Sequence, residues 1–372
     1  MKKRMLWIPQ VSSLSSDGKV LLTKDSNMSV LRNLMGTAFT EEYDITIAFE
    51  FSLLGALFDR DNFSECEVIS NNVRDFTNAY LERFNFNVEF FRNIKSTFEH
   101  FDYVFVNDPT KVLQLKKIFF DSKFICYNHW LAIDNMPDLI LRQYEGMQQA
   151  DLCFFNSDFA IDRVNKYYSL FKVINSAKAQ PTYKGELYKV KKNADVSLIY
   201  NHRLSSDPYY FNAFMNLIDV CNIMEKMIPM PVVYFTNPSG KDIDLSEYKS
   251  YFRMVKLDSQ QDYEEFLKSD KICGHINTFF DSPGMWSMST VDCARTGNVC
   301  FLPNKYGYTE IFQKDYKGYC NDKYEMACKI AQFITDDDVD NYDNNFILEH
   351  NANLVALTMI EKIKEIGGCS DV

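Results

Sequence analysis

The chain has 372 residues, with 40 Lys+Arg against 51 Asp+Glu, and so carries a formal charge of -11. At roughly 100–200 residues per domain this length predicts two domains. A 46% hydrophobic and 24% charged composition is that of a globular protein and excludes disorder over most of the chain.

No apolar run approaches the ~18–20 residues needed to cross a bilayer. The basic start Met1-Lys2-Lys3-Arg4 meets Pro9, Gln10 and a Ser-rich stretch in place of a signal-peptide core, so a cytoplasmic protein is expected. Ten cysteines lie between Cys66 and Cys369 without a Cys-x-x-Cys pair. Cys126, Cys153, Cys221 and Cys300 sit inside apolar segments, which reads as buried free thiols, and no metal site is expected.

Short apolar runs alternate with helical periodicity, the pattern of an α/β protein with parallel sheets. Residues 5–9 read as a buried strand, 10–19 as a polar loop, and 25–35 as a helix with Met28, Leu31, Leu34 and Met35 on one face. Strands follow at 44–49 and 68–69, a largely helical stretch at 73–98, a strand at 103–106 and a helix at 111–119. The strand 124–127 runs into Asn128-His129-Trp130, followed by a helix at 139–149 and a strand at 151–155. A helix at 159–168, capped by Asp158, ends the first unit.

Residues 177–193 carry Pro181, Gly185 and several lysines with little periodicity and read as a linker. A second α/β unit then begins, with a strand at 196–200, a polar loop at 201–207 and a helix at 209–224. Strands at 231–235 and 254–257, a helix at 262–268 and a strand at 272–276 lead to an irregular loop, 277–285. A helix at 287–295, a strand at 299–302 and the start of a helix at 307–312 come next. An acidic break at 335–345 precedes a last helix at 346–366. The predicted division is therefore 1–176, linker 177–193, 194–345, and a terminal segment 346–372. In open α/β sheets ligands bind beyond the carboxyl ends of the strands, which directs attention to the loops there.

One pattern in the second unit is specific: Ser289-x-x-Asp292-Cys293-Ala294-x-x-Gly297-Asn298-Val299, then Gly307-x-x-Glu310-Ile311. It resembles the nucleotide-sugar-binding half of the GT-B glycosyltransferases. The resemblance implies two Rossmann-like doubly wound domains facing across a cleft, with the C-terminal helix returning to the first domain. It also implies that Asp292 holds the donor ribose and that Ser289, with the loop Gly284–Ser287, lies against the diphosphate. Glu310 would then lie near the sugar or the base. A helix start offers backbone N–H groups to such an anion. The sequence departs from the pattern where an earlier Glu is usual, eight residues before Asp292: that position is Gly284, and the nearest acid is Asp281.

Ile199-Tyr200-Asn201-His202-Arg203 resembles the place where these enzymes carry a Gly-Arg pair and a following Lys. Arg203 can clamp a leaving diphosphate bidentately, but the expected Lys is Pro208. In the first unit, His129 at a strand end suits a general base, with Asp134 as a second candidate or an orienting group. Asp17, in the Ser-rich loop after the first strand, is the other candidate base.

The reading is thus a metal-independent glycosyltransferase with no cofactor, its nucleotide-sugar being a co-substrate. Its acceptor hydroxyl belongs to a glycan or to a hydroxymethylated pyrimidine in DNA, since the Phe-, Tyr-, Asn- and Lys-rich composition resembles phage enzymes that glycosylate modified bases. A charge of -11 opposes tight duplex binding. Lys184, Lys189, Lys191 and Lys192, with Lys116 and Lys117, could still supply a local basic patch, and Trp130 or Trp286 could support a flipped base. A non-catalytic nucleotide-sugar-binding module is the alternative. Neither GxxxxGK[ST], HExxH, GxSxG nor a GxGxxG after the first strand occurs, which speaks against a nicotinamide enzyme.

Overall fold

A computed structural model describes residues 2–9, 26–49, 66–70, 92, 95–96, 100–129, 131, 137–167, 174–180, 183–191, 196–236, 244–257, 260–284, 286–336, 339 and 342–367. The chain divides into two compact units, Met1–Pro181 with Ala352–Val372, and Thr182–Asn351.

The sheet of the first unit is built from β1 (Lys3–Ile8), β2 (Tyr43–Phe49), β3 (Cys66–Ser70), β4 (Tyr103–Val106), β5 (Lys123–Asn128), β6 (Leu152–Phe155) and β7 (Ser176–Lys178). Its order is β3-β2-β1-β4-β5-β6-β7. Every pairing is parallel, for example Trp7 with Ile47 on one side and with Phe105 on the other. Met5, Leu6, Trp7 and Ile8 are all buried, as a strand covered on both faces requires. The Trp7 ring stacks on Phe105 with centroids 4.0 Å apart, and its indole N–H donates to Asn107 Oδ1 at 2.8 Å.

Helices α1 (Ser26–Leu34), α2 (Ala38–Glu42), α3 (Val112–Ile118), α4 (Pro137–Gln149) and α5 (Asp158–Tyr167) belong to this unit. The C-terminal helix of the chain also packs here. Its Val355, Ala356, Met359 and Ile363 share one apolar cluster with Val30, Leu31 and Leu34 of α1 and Phe39 of α2. Burial of side chains as large as Met359 and Ile363 is worth about 1.5–3 kcal/mol each, enough to hold a terminal helix in place.

The second unit repeats the plan with β8 (Leu198–Tyr200), α6 (Pro208–Met224), β9 (Val233–Phe235), β10 (Phe252–Met254), α7 (Gln260–Lys268) and β11 (Gly274–Ile276). Helix α8 (Met288–Arg295), β12 (Val299–Pro303), β13 (Tyr319–Cys320) and α9 (Lys323–Thr335) follow, and α10 (Ala352–Gly367) is the C-terminal helix already placed in the first unit. The parallel order is β10-β9-β8-β11-β12-β13, so the direction of winding reverses between β8 and β11. That reversal places the loops after β8 and β11 beside one another at the carboxyl edge of the sheet.

Several local features depart from the sequence reading, among them the predicted helix at 307–312, which is a 3-10 turn, Tyr306–Glu310. Strand β7 lies partly inside the predicted linker. The rest of that segment is strapped to the second unit: the Tyr188 N–H donates to Arg295 O at 2.8 Å and the Lys191 N–H to Gly297 O at 2.9 Å. Lys191 is no part of an open basic patch, because its Nζ donates to Leu267 O and Ser269 O at the end of α7, and burial lowers its pKa. At α5 the cap is Ser157, whose Oγ accepts from Ala160 N at 3.2 Å, while Asp158 lies in the first turn. The predicted helix 346–366 is two pieces, a 3-10 turn Asn345–His350 and α10, interrupted by the extended Asn351. Of the predicted helical stretch 73–98, only 92, 95 and 96 are among the described residues. Among the described residues no helix is long and apolar enough to cross a membrane.

Candidate functional site

The loop after β8 begins with Asn201, 3% exposed, whose amide N–H groups are spent on two neighbouring helices. Its Nδ2 donates to Tyr263 Oη of α7 at 2.6 Å and to Ser289 O of α8 at 3.3 Å. Ser289 returns the contact, its Oγ donating to Asn201 O at 3.1 Å. The β8 loop and the first turn of α8 are therefore tied together by side-chain hydrogen bonds in both directions.

Helix α8 starts at the sheet edge because Ser287 has extended backbone and its Oγ accepts the Thr290 N–H at 3.2 Å. Thr290 is fully buried, donates from Oγ1 to Ser287 Oγ at 2.8 Å, and lies 3.0 Å from His275 Nε2. Asp292, one turn further, is partly exposed. Its Oδ2 accepts from Tyr263 Oη at 3.4 Å, and its Oδ1 lies 3.9 Å from Arg295 Nε, which belongs to a buried guanidinium also paired with Glu264 at 2.9 Å.

Arg203 sits two residues beyond Asn201, half-buried, its guanidinium carbon 5.5 Å from the Tyr210 ring centroid. Among the described residues it forms no ion pair, so its charge is available to an anion. His202 packs edge-on against Tyr200, His275 and Phe279 at 4.9, 5.3 and 5.0 Å. Burial pushes the His202 pKa down to about 3 and that of His275 well below the ordinary range, so both rings are neutral.

The loop between β11 and α8 is braced from beneath: Thr278 Oγ1 donates to Ala213 O at 2.6 Å, and Asn216 Nδ2 to Thr278 O at 3.1 Å. Asn216 also donates to Asp281 at 2.9 Å, which ties the exposed Asp281 carboxylate to α6. Gly284 lies directly under Tyr308, whose hydroxyl oxygen would stand 1.9 Å from a Cβ at that position. The Gly307 N–H donates to Gly284 O at 2.9 Å, and Tyr306 at φ 61 takes the left-handed conformation needed to close the turn. Glu310 ends that turn, its carbonyl accepting from His350 Nε2 at 3.2 Å.

The structure thus brings Arg203, Ser287, Ser289 and Asp292 into one edge of the second sheet, with Gly284 in the adjoining loop and Glu310 at the end of the turn that packs on it. In the first unit His129 follows β5, its carbonyl accepting from Asn156 Nδ2 at 3.2 Å. Asp17, Asp134 and Trp130 lie outside the described residues. Sequence reasoning did not single out Tyr263 or His275, which sit inside an ordinary amphipathic helix and a buried strand and leave no local signature.

No protein-family model matches the sequence, and no curated protein matches it. Solved structures do match over nearly the whole chain. Sucrose-phosphate synthase from Thermosynechococcus elongatus superposes with a TM-score of 0.74 at 11% identity, covering 98% of this chain and 99% of its own. HepE of Anabaena, in complex with UDP and glucose, gives 0.66 at 11% identity, with 98% and 100% covered. The lipopolysaccharide outer core galactosyltransferase WaaB gives 0.65 at 12% identity, with 97% and 99% covered. The chain therefore has the fold of the GT-B glycosyltransferases, two parallel Rossmann-like sheets with the last helix returned to the first unit.

Proposed function

We propose that the chain is a glycosyltransferase whose second unit holds a nucleotide-sugar donor. One observation carries the reading: at the winding reversal of the second sheet, the loop that carries Arg203 is hydrogen-bonded to the first turn of α8, and among the described residues Arg203 forms no ion pair. A guanidinium and a helix N-terminus are the two features a diphosphate needs.

In the reaction the bond between the sugar C1 and the diphosphate oxygen breaks, and the electron pair leaves with the nucleoside diphosphate. The acceptor oxygen bonds to C1 and its proton passes to a base, for which His129 and Asp17 are the candidates. Arg203 and the α8 dipole meet charge that grows on the leaving group, a contribution of about 2–4 kcal/mol for one well-placed donor. Ser289 and the Gly284–Ser287 loop lie along the phosphates, Asp292 accepts the ribose hydroxyls, and Glu310 stands toward the sugar or base. The charge is met by protein groups, so chelation with EDTA leaves the rate unchanged; loss of activity would instead place a metal at the diphosphate. The acceptor is a hydroxyl of a glycan or of a hydroxymethylated pyrimidine in DNA, and the hydrogen bonds that tie Lys191 to the end of α7 weaken the second case.

The test is consumption of a panel of nucleotide sugars, alone and with glycan or hydroxymethylated DNA acceptors. Turnover that falls about 100-fold in Arg203→Ala supports the reading. Tight donor binding without turnover for any acceptor identifies a binding module, and no binding at all removes the donor site. Transfer that survives His129→Ala at an unchanged rate excludes that residue as the base.

A further inference from the structure

We propose that Tyr263 is a positioning residue of the donor site, setting the direction in which Asp292 presents its carboxylate. The inference rests on the donor reading above and deepens it. A phenol has one proton to give and lone pairs to receive. Here the receiving side is occupied by Asn201 Nδ2 at 2.6 Å, so the Tyr263 proton is directed to Asp292 Oδ2 at 3.4 Å. Burial and the negative charge of Asp292 both raise the Tyr263 pKa well above its ordinary value, keeping that proton in place.

The chain of donors joins three elements of the second unit: the β8 loop through Asn201, α7 through Tyr263, and α8 through Asp292. The Arg295 guanidinium lies 3.9 Å from the other carboxylate oxygen and is itself fixed by Glu264 of α7. One carboxylate oxygen therefore takes the phenol's hydrogen bond while the other faces the Arg295 charge, and the same phenol steadies the loop that carries Arg203. Linked donors of this kind polarise one another, so removing the middle member weakens both ends.

The experiment compares affinities for UDP, GDP, ADP and CDP with those for their 2′,3′-dideoxy counterparts, in the intact chain and in Tyr263→Phe. A carboxylate aimed at the ribose makes the wild type prefer the ribonucleotide by about tenfold. Tyr263→Phe keeps the ring but loses the proton, and should bring that ratio close to one while leaving affinity for the dideoxy nucleotide within about twofold. A merely structural tyrosine would weaken both nucleotides alike and leave the ratio intact, which overturns the proposal. Combining Tyr263→Phe with Asp292→Asn should change the ratio no further than Asp292→Asn alone; an additional independent loss also overturns it. If Tyr263→Phe does not fold, Tyr263→Met, which also has no proton to donate, is measured in its place, with the same ratio deciding. A wild type that binds none of the nucleotides fails the donor reading itself, whereas one that binds with an unaltered ratio in the variant fails only this inference.

Discussion

Gly284 has no room for a side chain, because the Tyr308 hydroxyl and ring carbon would lie 1.9 and 2.2 Å from an added Cβ. Overpacking of this kind costs about 1–3 kcal/mol, so Gly284→Ala is expected to lower the urea midpoint by a corresponding amount. Shrinking the partner relieves it: Gly284→Ala with Tyr308→Leu should be more stable than the sum of the two single losses, and strict additivity would contradict the contact. The sequence pattern marked position 284 because a glutamate is usual there, and its replacement by glycine left the local contacts undefined. The structure supplies the reason in a residue 24 positions away, which no local spacing could reveal. Asp292 could be picked out by its place after Ser289 and before Gly297, whereas Tyr263 could not, since its contacts with Asn201 and Asp292 depend on α7 lying beside the β8 loop.

Helix α9 shows the opposite case at the level of the element. Asp322 caps it by accepting the Glu325 N–H at 2.8 Å, and Glu325 accepts in turn from the Asn321 N–H at 2.7 Å. The Asp-x-x-Glu spacing and the following Met326, Ala327, Ile330 and Phe333 are a readable start signal that the sequence reading passed over. Strand β7 was hidden for another reason: its Ser-Ala-Lys is half exposed at the sheet edge and lacks an apolar run. The end of α7 is held by Lys191, whose ammonium gives two hydrogen bonds to carbonyls there. Lys191→Met keeps the stem and removes both, and is expected to cost about 1–3 kcal/mol in thermal or denaturant unfolding. No measurable loss would mean that water replaces the ammonium at those carbonyls.

Across the whole molecule, alternation of apolar runs and helical periodicity was enough to predict two α/β units, because fully buried parallel strands must read that way. It could not predict the 3-2-1-4-5-6 winding that both sheets share, extended by a seventh strand in the first, because this depends on long-range pairing. Buried neutral histidines give the molecule a distinct acid response. His202 has its folded-state pKa depressed to about 3, against about 6.5 when unfolded, and His275 is depressed in the same direction. The unfolded chain therefore binds more protons below pH 6.5, so their stabilising contribution is complete above that value and falls as the medium is acidified. For His202 the loss continues down to about pH 3. The slope is about 1.4 kcal/mol per pH unit for each histidine. His202→Phe should flatten the fall in unfolding free energy between pH 6 and pH 4 by about one such unit of slope, and an unchanged slope would place the acid sensitivity elsewhere.

The most direct test of the proposed donor site is a crystal structure with a bound nucleoside diphosphate. The two phosphates are expected within hydrogen-bonding distance of the Arg203 guanidinium and the backbone at the start of α8, with the ribose hydroxyls on Asp292. A nucleotide bound in another place, or at this edge with Arg203 turned away from it, would contradict the account.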